Sequence, residues 1–403
     1  MPFQTLRAHG RHRFASGIIQ ALCAAALLAG LTACGGGGGG APVADATLNA
    51  GGSAGSDSTT ATGTVTGTAT GAGSTSSTTT VVPAILIAGT AKQPLTLTGV
   101  VSLFAGSATS GTADGVGTAA RFNNPYGITS DGTNLYVADT NSHTIRQINI
   151  ATQAVTTLAG SGIGGAADGV GTAASFSRPS GITTDGIHVY VADSGNGLIR
   201  KISIATGAVS TLAGKVAGHR FSSFADGTGT TAEFGDLAGI TTDGANIYVA
   251  ENGSYRIRKV VIATGVVSTV AGNGTKGYVD ASGTNARFEG AVAVSLIGDT
   301  LYVSDKGGLA IRQITLSTGQ VNTVFSFNAG SSPTGLTNDG ANLYATQASG
   351  GAVDKITLSS GGAATKSSFL GSNATLTDPY DITSDGKKLF LVNASSHTIY
   401  KID

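Results

Sequence analysis

The chain has 403 residues, with 23 Lys+Arg against 23 Asp+Glu and only 11% charged side chains. No basic block occurs, so the electrostatic footprint of a nucleic-acid-binding protein is missing and that class of partner is excluded. Two cysteines exclude a disulfide scaffold, while 62 glycines against 8 prolines point to many tight turns.

At the N-terminus, Arg7, Arg11 and Arg13 precede a short apolar run from Ile18 to Leu31. A membrane span needs about 20 apolar residues, so the pattern predicts a signal peptide over residues 1–33 rather than a retained helix. The segment ends Leu31-Thr32-Ala33-Cys34, which resembles the bacterial lipobox. That resemblance implies that Cys34 is lipidated, becomes the mature N-terminus and anchors the chain to a membrane. Gly35 in place of an aspartate implies the outer membrane, on its periplasmic or its surface side. Several acyl chains together anchor firmly where one binds only marginally. Loss of residues 1–33 removes three of the 23 Lys+Arg and no acid, leaving 20 against 23, a formal −3. Cys23 departs with the signal, so no disulfide can form within the mature chain.

Residues 34–80 are almost entirely Gly, Ser, Thr, Ala and Val. Such a stretch cannot bury enough apolar surface to offset its ordering entropy, and it reads as a flexible tether. Residues 81–99 read as a linker or as an extra strand packed on the domain that follows.

From Pro125 to Gly160 four short apolar runs are separated by turn residues: a (Gly127–Ser130), b (Asn134–Ala138), c (Thr144–Ile150) and d (Ala154–Leu158). Asp131-Gly132 between a and b is a hairpin signal. The unit recurs, aligned on Leu135-Tyr136-Val137-Ala138-Asp139 and its counterparts at Val189, Ile247, Leu301, Leu343 and Leu389, giving six units. The last stops at Asp403 without a strand d, and a spare d-like strand, Val100–Gly106, stands upstream of the first. Pairing Val101–Ala105 with Thr398–Ile402 would close a ring and remove an exposed edge. The expected fold is therefore all-β, a six-bladed β-propeller of four-stranded antiparallel blades over residues 100–403. Strands apolar on both faces, as in Leu135–Ala138, fit blades sandwiched between neighbours.

The pattern P-x-G-I-x-x-D-G-x-x-L-Y-V-A-D…I-R-x-I, with T-L-A-G and A-D-G-x-G-T-x-A-x-F, resembles the NHL-repeat propellers. The resemblance is clean in blades 1–4 and degraded in blades 5 and 6. It implies the fold and leaves the function open, because the family includes binding and sensor domains as well as a lyase.

Two patterns within the repeat carry charge. Asp139/Arg146 recurs seven residues apart as Asp193/Arg200, Glu251/Arg258 and Asp305/Arg312, and blades 5 and 6 lose both partners together. These are expected to be partly buried ion pairs within each blade. The d–a loops carry Asp114…Phe122, Asp168…Phe176, Asp226…Phe234 and Asp280…Phe288. Each Phe should plug between blades on a single helical turn, and each Asp should bond backbone N–H groups. Calcium wants about 6–8 oxygens and each loop offers one carboxylate, so no metal is expected there.

The d–a and b–c connections share one end of the disc, and binding residues concentrate on such loops. Candidates on that face are Arg121, Tyr126, His143, Tyr255, Arg287, Tyr380, Asp381 and His397, with contacts expected to favour blades 5, 6 and 1. Propeller lyases and lactonases gather metal ligands at the starts of the a strands, where only Asp381 could serve here. Catalytic zinc takes about three protein ligands, and no catalytic residue or cofactor is expected. The expectation is a monomeric, non-enzymatic binding or scaffolding module for a protein, peptide or envelope glycan. A metal-dependent lyase or lactonase is the alternative, and a surface sensor or adhesin a third.

Overall fold

A computed structural model describes residues 93–216, 224–359, 364–373 and 375–403. Cys34, the signal and tether segments, residues 81–92 and His219 lie outside the described residues. The described chain forms six antiparallel sheets arranged as a β-propeller. In blade 1 strands a to d are Gly127–Ser130, Asn134–Asp139, Thr144–Asn149 and Ala154–Ala159. The other blades repeat that order, with strand a innermost.

The ring closes with pieces from opposite ends. Val101–Gly106 pairs antiparallel with Thr398–Ile402 and supplies strand d of blade 6, with Val101 opposite Ile402 and Ala105 opposite Ile399. Residues 93–99 are an extended strap, not an extra strand. The Leu95 N–H donates to Asp339 Oδ2 of blade 5 at 3.0 Å, and the N–H groups of Thr98 and Gly99 donate to the Asp403 carbonyl at 2.7 and 2.8 Å. The chain thus enters at the a–b/c–d end of the disc.

Packing is between blades. Leu135, Tyr136, Val137 and Ala138 are all fully buried, because alternate side chains meet different neighbours. Phe176 joins Tyr136, Ala138 and Ile145 of blade 1 to Ile182, Val189 and Val191 of blade 2. Phe122, Phe234 and Phe288 fill the equivalent seams. A three-residue 3₁₀ turn precedes each, as Gly171–Ala173 does Phe176.

The Asp–Phe loops depart from the expectation that they lie only on the loop face. Gly115–Val116, Gly169–Val170 and Gly227–Thr228 pair with strand d as a short fifth strand in blades 1–3. Each loop first runs down the outer edge of its blade, covering backbone groups that would otherwise form an open edge.

Candidate functional site

Register explains the charged pairs. Arg146 lies opposite Val137 in the b–c ladder, so it shares a sheet face with Asp139 two residues further along. The Arg146 and Asp139 side chains are fully buried with Nη1 and Oδ2 3.2 Å apart. The corresponding distances are 2.9 Å for Arg200–Asp193, 3.0 Å for Arg258–Glu251 and 3.2 Å for Arg312–Asp305. Burial pushes the Asp139 and Asp193 carboxyls up to about 6, against the pull of their guanidinium and N–H partners.

Each arginine also holds a second acid. Asp114 reaches Arg146 at 2.7 Å, and Asp168 and Asp226 reach Arg200 and Arg258 at 2.8 Å. Asp280 does the same for Arg312. The Asp114 carboxylate also accepts from Thr157 N and Oγ1, so it fixes the loop to strand d rather than to itself. Thr157, Thr211, Thr269 and Thr323 occupy this position in the blades that have the loop aspartate. Blade 5 has Ser368 opposite Asp354 and blade 6 has Leu103 opposite Tyr400. That third co-varying residue was the available signal for the second carboxylate. Blade 5 reverses the polarity: buried Asp354 on strand c meets Lys366 of strand d at 3.2 Å and Gln347 at 3.0 Å. These constellations are structural pins between loop and blade.

The open site is the axial channel, a cavity of about 380 Å³ walled by the six a strands. Tyr126 and Tyr380 stack at its loop-face mouth with ring centroids 4.3 Å apart, and Asp381 lines the wall just below. Across the mouth stand Arg178, Ser194, Asp236 and Asn252 from blades 2 and 3. Burial raises Asp236 against hydrogen bonds from Asn252 and Ser194 and the nearby charge of Arg178. These four residues were absent from the sequence-based candidates, which weighted blades 5, 6 and 1. Nothing in their motif marks them, since loop conformation alone turns them to the axis.

The other candidates do not reach the channel. His143 and His397 sit at left-handed turn positions, with φ of 56° and 59°, and their Nδ1 atoms accept the N–H groups of Arg178 and Asn124 in the next blade at 3.0 Å. Tyr255 shares that turn position with φ of 56°. The Arg121 guanidinium is held by the carbonyls of Thr118, Ala119 and Ala120 in its own loop. Arg287 is exposed on the Asp280–Phe288 loop.

Asp381 stands where the other blades have Gly127, Gly181, Gly239, Ala293 and Gly335. A Cβ built on Gly127 or Gly181 would come within 2.2 Å of a carbonyl of the next a strand, so these strands pack too closely for a side chain. Ala293 carries only a methyl there and Asp381 alone a polar side chain, whose Oδ2 accepts the Ile128 N–H of blade 1 at 3.0 Å. Burial pushes its carboxyl up to about 7 despite bonds from Ile128 and Ile382 N–H groups. An unfolded Asp titrates near about 3.9, so the protonated form's contribution is complete below that pH and is lost as pH rises through the folded value. Asp381→Asn keeps an acceptor for Ile128 and never ionises. Its melting temperature should match the parent near about pH 4 and exceed it near about pH 8, by an amount equivalent to roughly 1–3 kcal/mol. A gain that does not change over that range would contradict this assignment.

No family profile matches the chain. Over 344 residues it is 25% identical to NHL repeat-containing protein 2 of Homo sapiens, a match covering 62% of this chain and 47% of that protein. Over 280 residues it is 25% identical to Protein SUPPRESSOR OF QUENCHING 1, chloroplastic, of Arabidopsis thaliana, covering 52% and 26%. The chain thus spans between about a quarter and a half of the length of these relatives. Among solved structures, a Bacteroides thetaiotaomicron protein of unknown function superposes with a TM-score of 0.52 at 19% identity, covering 75% of each chain. A virginiamycin B lyase of Staphylococcus aureus gives 0.48 at 16% identity, over 75% of this chain and 99% of that one. The chain is a six-bladed β-propeller whose repeats are similar to those of NHL repeat-containing proteins.

Proposed function

We propose that the chain is a monomeric, lipid-anchored, extracytoplasmic propeller that binds or scaffolds a protein, peptide or envelope glycan on its loop face, without catalysing a reaction. The observation that carries this reading is the mouth of the axial channel, where stacked tyrosines face a polar group of Arg178, Asp236 and Asn252. Aromatic surface beside a few polar groups, held on a rigid scaffold, is how recognition sites are generally built. The 93–99 strap lies at the other end of the disc. The commitments of the described histidines favour binding over the lyase or lactonase alternative. His143 and His397 accept backbone N–H groups, and His188 lies 3.4 Å from Asp185 at an a–b turn, away from the mouth.

Photo-crosslinkers placed at Tyr126 and at Ile187, the latter exposed in an a–b turn of the opposite end, test the face. We expect a stoichiometric adduct in intact cells from position 126 and none from 187. The same adducts from both positions would remove the loop face as the site.

A further inference from the structure

The channel presents three chemistries in depth. At the mouth are the Tyr126 and Tyr380 rings. Below them is Asp381, whose one hydrogen bond to a neighbouring blade comes from Ile128 N–H and which no basic side chain among the described residues pairs. Two residues further along each a strand come Thr129, Thr183, Thr241, Ser295, Thr337 and Thr383, all lining the same cavity. Thr183, Thr241 and Thr337 are only 5%, 7% and 7% exposed, and their hydroxyls make no protein hydrogen bond among the described residues. These hydroxyls line the open cavity, where a polar group that enters can pair with them.

The charges around the mouth leave Asp381 as the uncompensated one. Arg178 faces Asp236 and Lys306 faces Asp378, while Tyr126, Asp236, Asp378 and Asp381 all bear on Tyr380. A cation entering here would meet ring faces, then a carboxylate, then hydroxyl oxygens. Cation–π attraction strengthens as a cation sheds water. A hydrogen bond to a charged group is stronger than one between neutral groups. A slender aliphatic stem suits a passage walled largely by Gly, Ile and Thr.

We propose that the axial channel binds a primary ammonium carried on an extended aliphatic chain, of the kind a lysine side chain of a docked partner presents. This deepens the binding-module reading above and rests on it. Asp381 holds the charge, Tyr126 and Tyr380 line the entry, and the threonine ring takes the remaining N–H donors.

Calorimetric titration of the full-length protein with n-pentylammonium chloride, and with n-pentanol as the uncharged match, tests this. The ammonium should bind about tenfold or more tightly than the alcohol, and Asp381→Asn should lose about tenfold or more in ammonium affinity. In the unaltered protein, affinity should rise about tenfold between pH near 6 and pH near 8 as the carboxyl becomes available, with proton uptake by buffer at the lower pH. This last measurement does not depend on any variant folding. Equal affinity for amine and alcohol, or an ammonium affinity indifferent to both Asp381→Asn and pH, would overturn the proposal. Capture of a partner from position 126 without pentylammonium binding would overturn the ammonium chemistry alone. Pentylammonium binding without capture would support the channel site and count against the macromolecular docking face.

Discussion

Arg200→Met will lower the unfolding free energy by about 3–5 kcal/mol, the usual result of leaving a buried charge without its partner. The guanidinium is fully buried and holds four acceptors: Asp193 at 2.9 Å, Asp168 at 2.8 Å, and the Ser175 and Ala167 carbonyls at 2.9 Å. It also lies 5.1 Å from the Phe176 ring centroid, so the same side chain ties the loop, blade 2 and the plug between blades 1 and 2. Methionine fills much of the volume and supplies none of the donors. Asp193 would then be buried beside Asn196 and the Ser177 N–H alone, and its already raised carboxyl would rise further. The loss should therefore deepen as pH rises above about 6, because only there must the orphaned carboxyl ionise in the fold. Arg200→Met combined with Asp193→Asn should recover part of it, since the stranded acid is then gone. Urea unfolding at two pH values reads both effects. A single-variant loss below about 1 kcal/mol, the range of exposed pairs, would show that the pins carry little.

Much of this architecture is legible in the residues because propeller repeats state each rule several times. The joint loss of acid and arginine in blades 5 and 6 pointed to Asp139 and Arg146 as partners, and the ladder puts them on one face. The second acid was harder to see. Asp114 is 32 residues from Arg146 and 43 from Thr157, and nothing local shows that the loop doubles back along the outer edge. A two-residue strand such as Gly169–Val170 has no periodicity to detect. The backbone role of the histidines is hidden in sequence for a related reason. His143 and His397 look like chemistry, yet they occupy a turn position with positive φ that Gly197 and Gly351 fill in blades 2 and 5. The channel was the least legible part, because its character depends on how closely the six a strands approach. Asp381 stood out in sequence as a possible ligand, but its isolation from cations and the ring of hydroxyls below it follow from the packing alone.

Removing the closing strand should have the largest effect of all. A chain that begins at Ser107 lacks strand d of blade 6, and we expect it to aggregate or to unfold without a cooperative transition. Val101–Gly106 covers the outer edge of Thr398–Ile402, whose Ile399 and Ile402 are fully buried in the closed ring. Without it that edge presents unpaired N–H and C=O groups beside apolar side chains, the arrangement that templates intermolecular pairing. Phe104 adds packing to the pairing. It is 4% exposed, meets Phe390 edge-on at 5.1 Å, and belongs to a cluster that spans blade 6, Phe122 and Leu135 of blade 1. Phe104→Ala alone should cost about 3–5 kcal/mol, while Ser102→Ala, half-buried and with no apolar packing to lose, should cost less than about 0.5 kcal/mol. Adding residues 98–106 as a separate peptide to the shortened chain should restore a cooperative melt, because the strand is bound by ladder bonds and by an apolar seam that need no covalent link to blade 1. Cooperative unfolding of the shortened chain at unchanged temperature, with no response to the peptide, would mean that the ring is held by the blade-to-blade cores alone. The channel geometry would then owe nothing to the joining of the two ends.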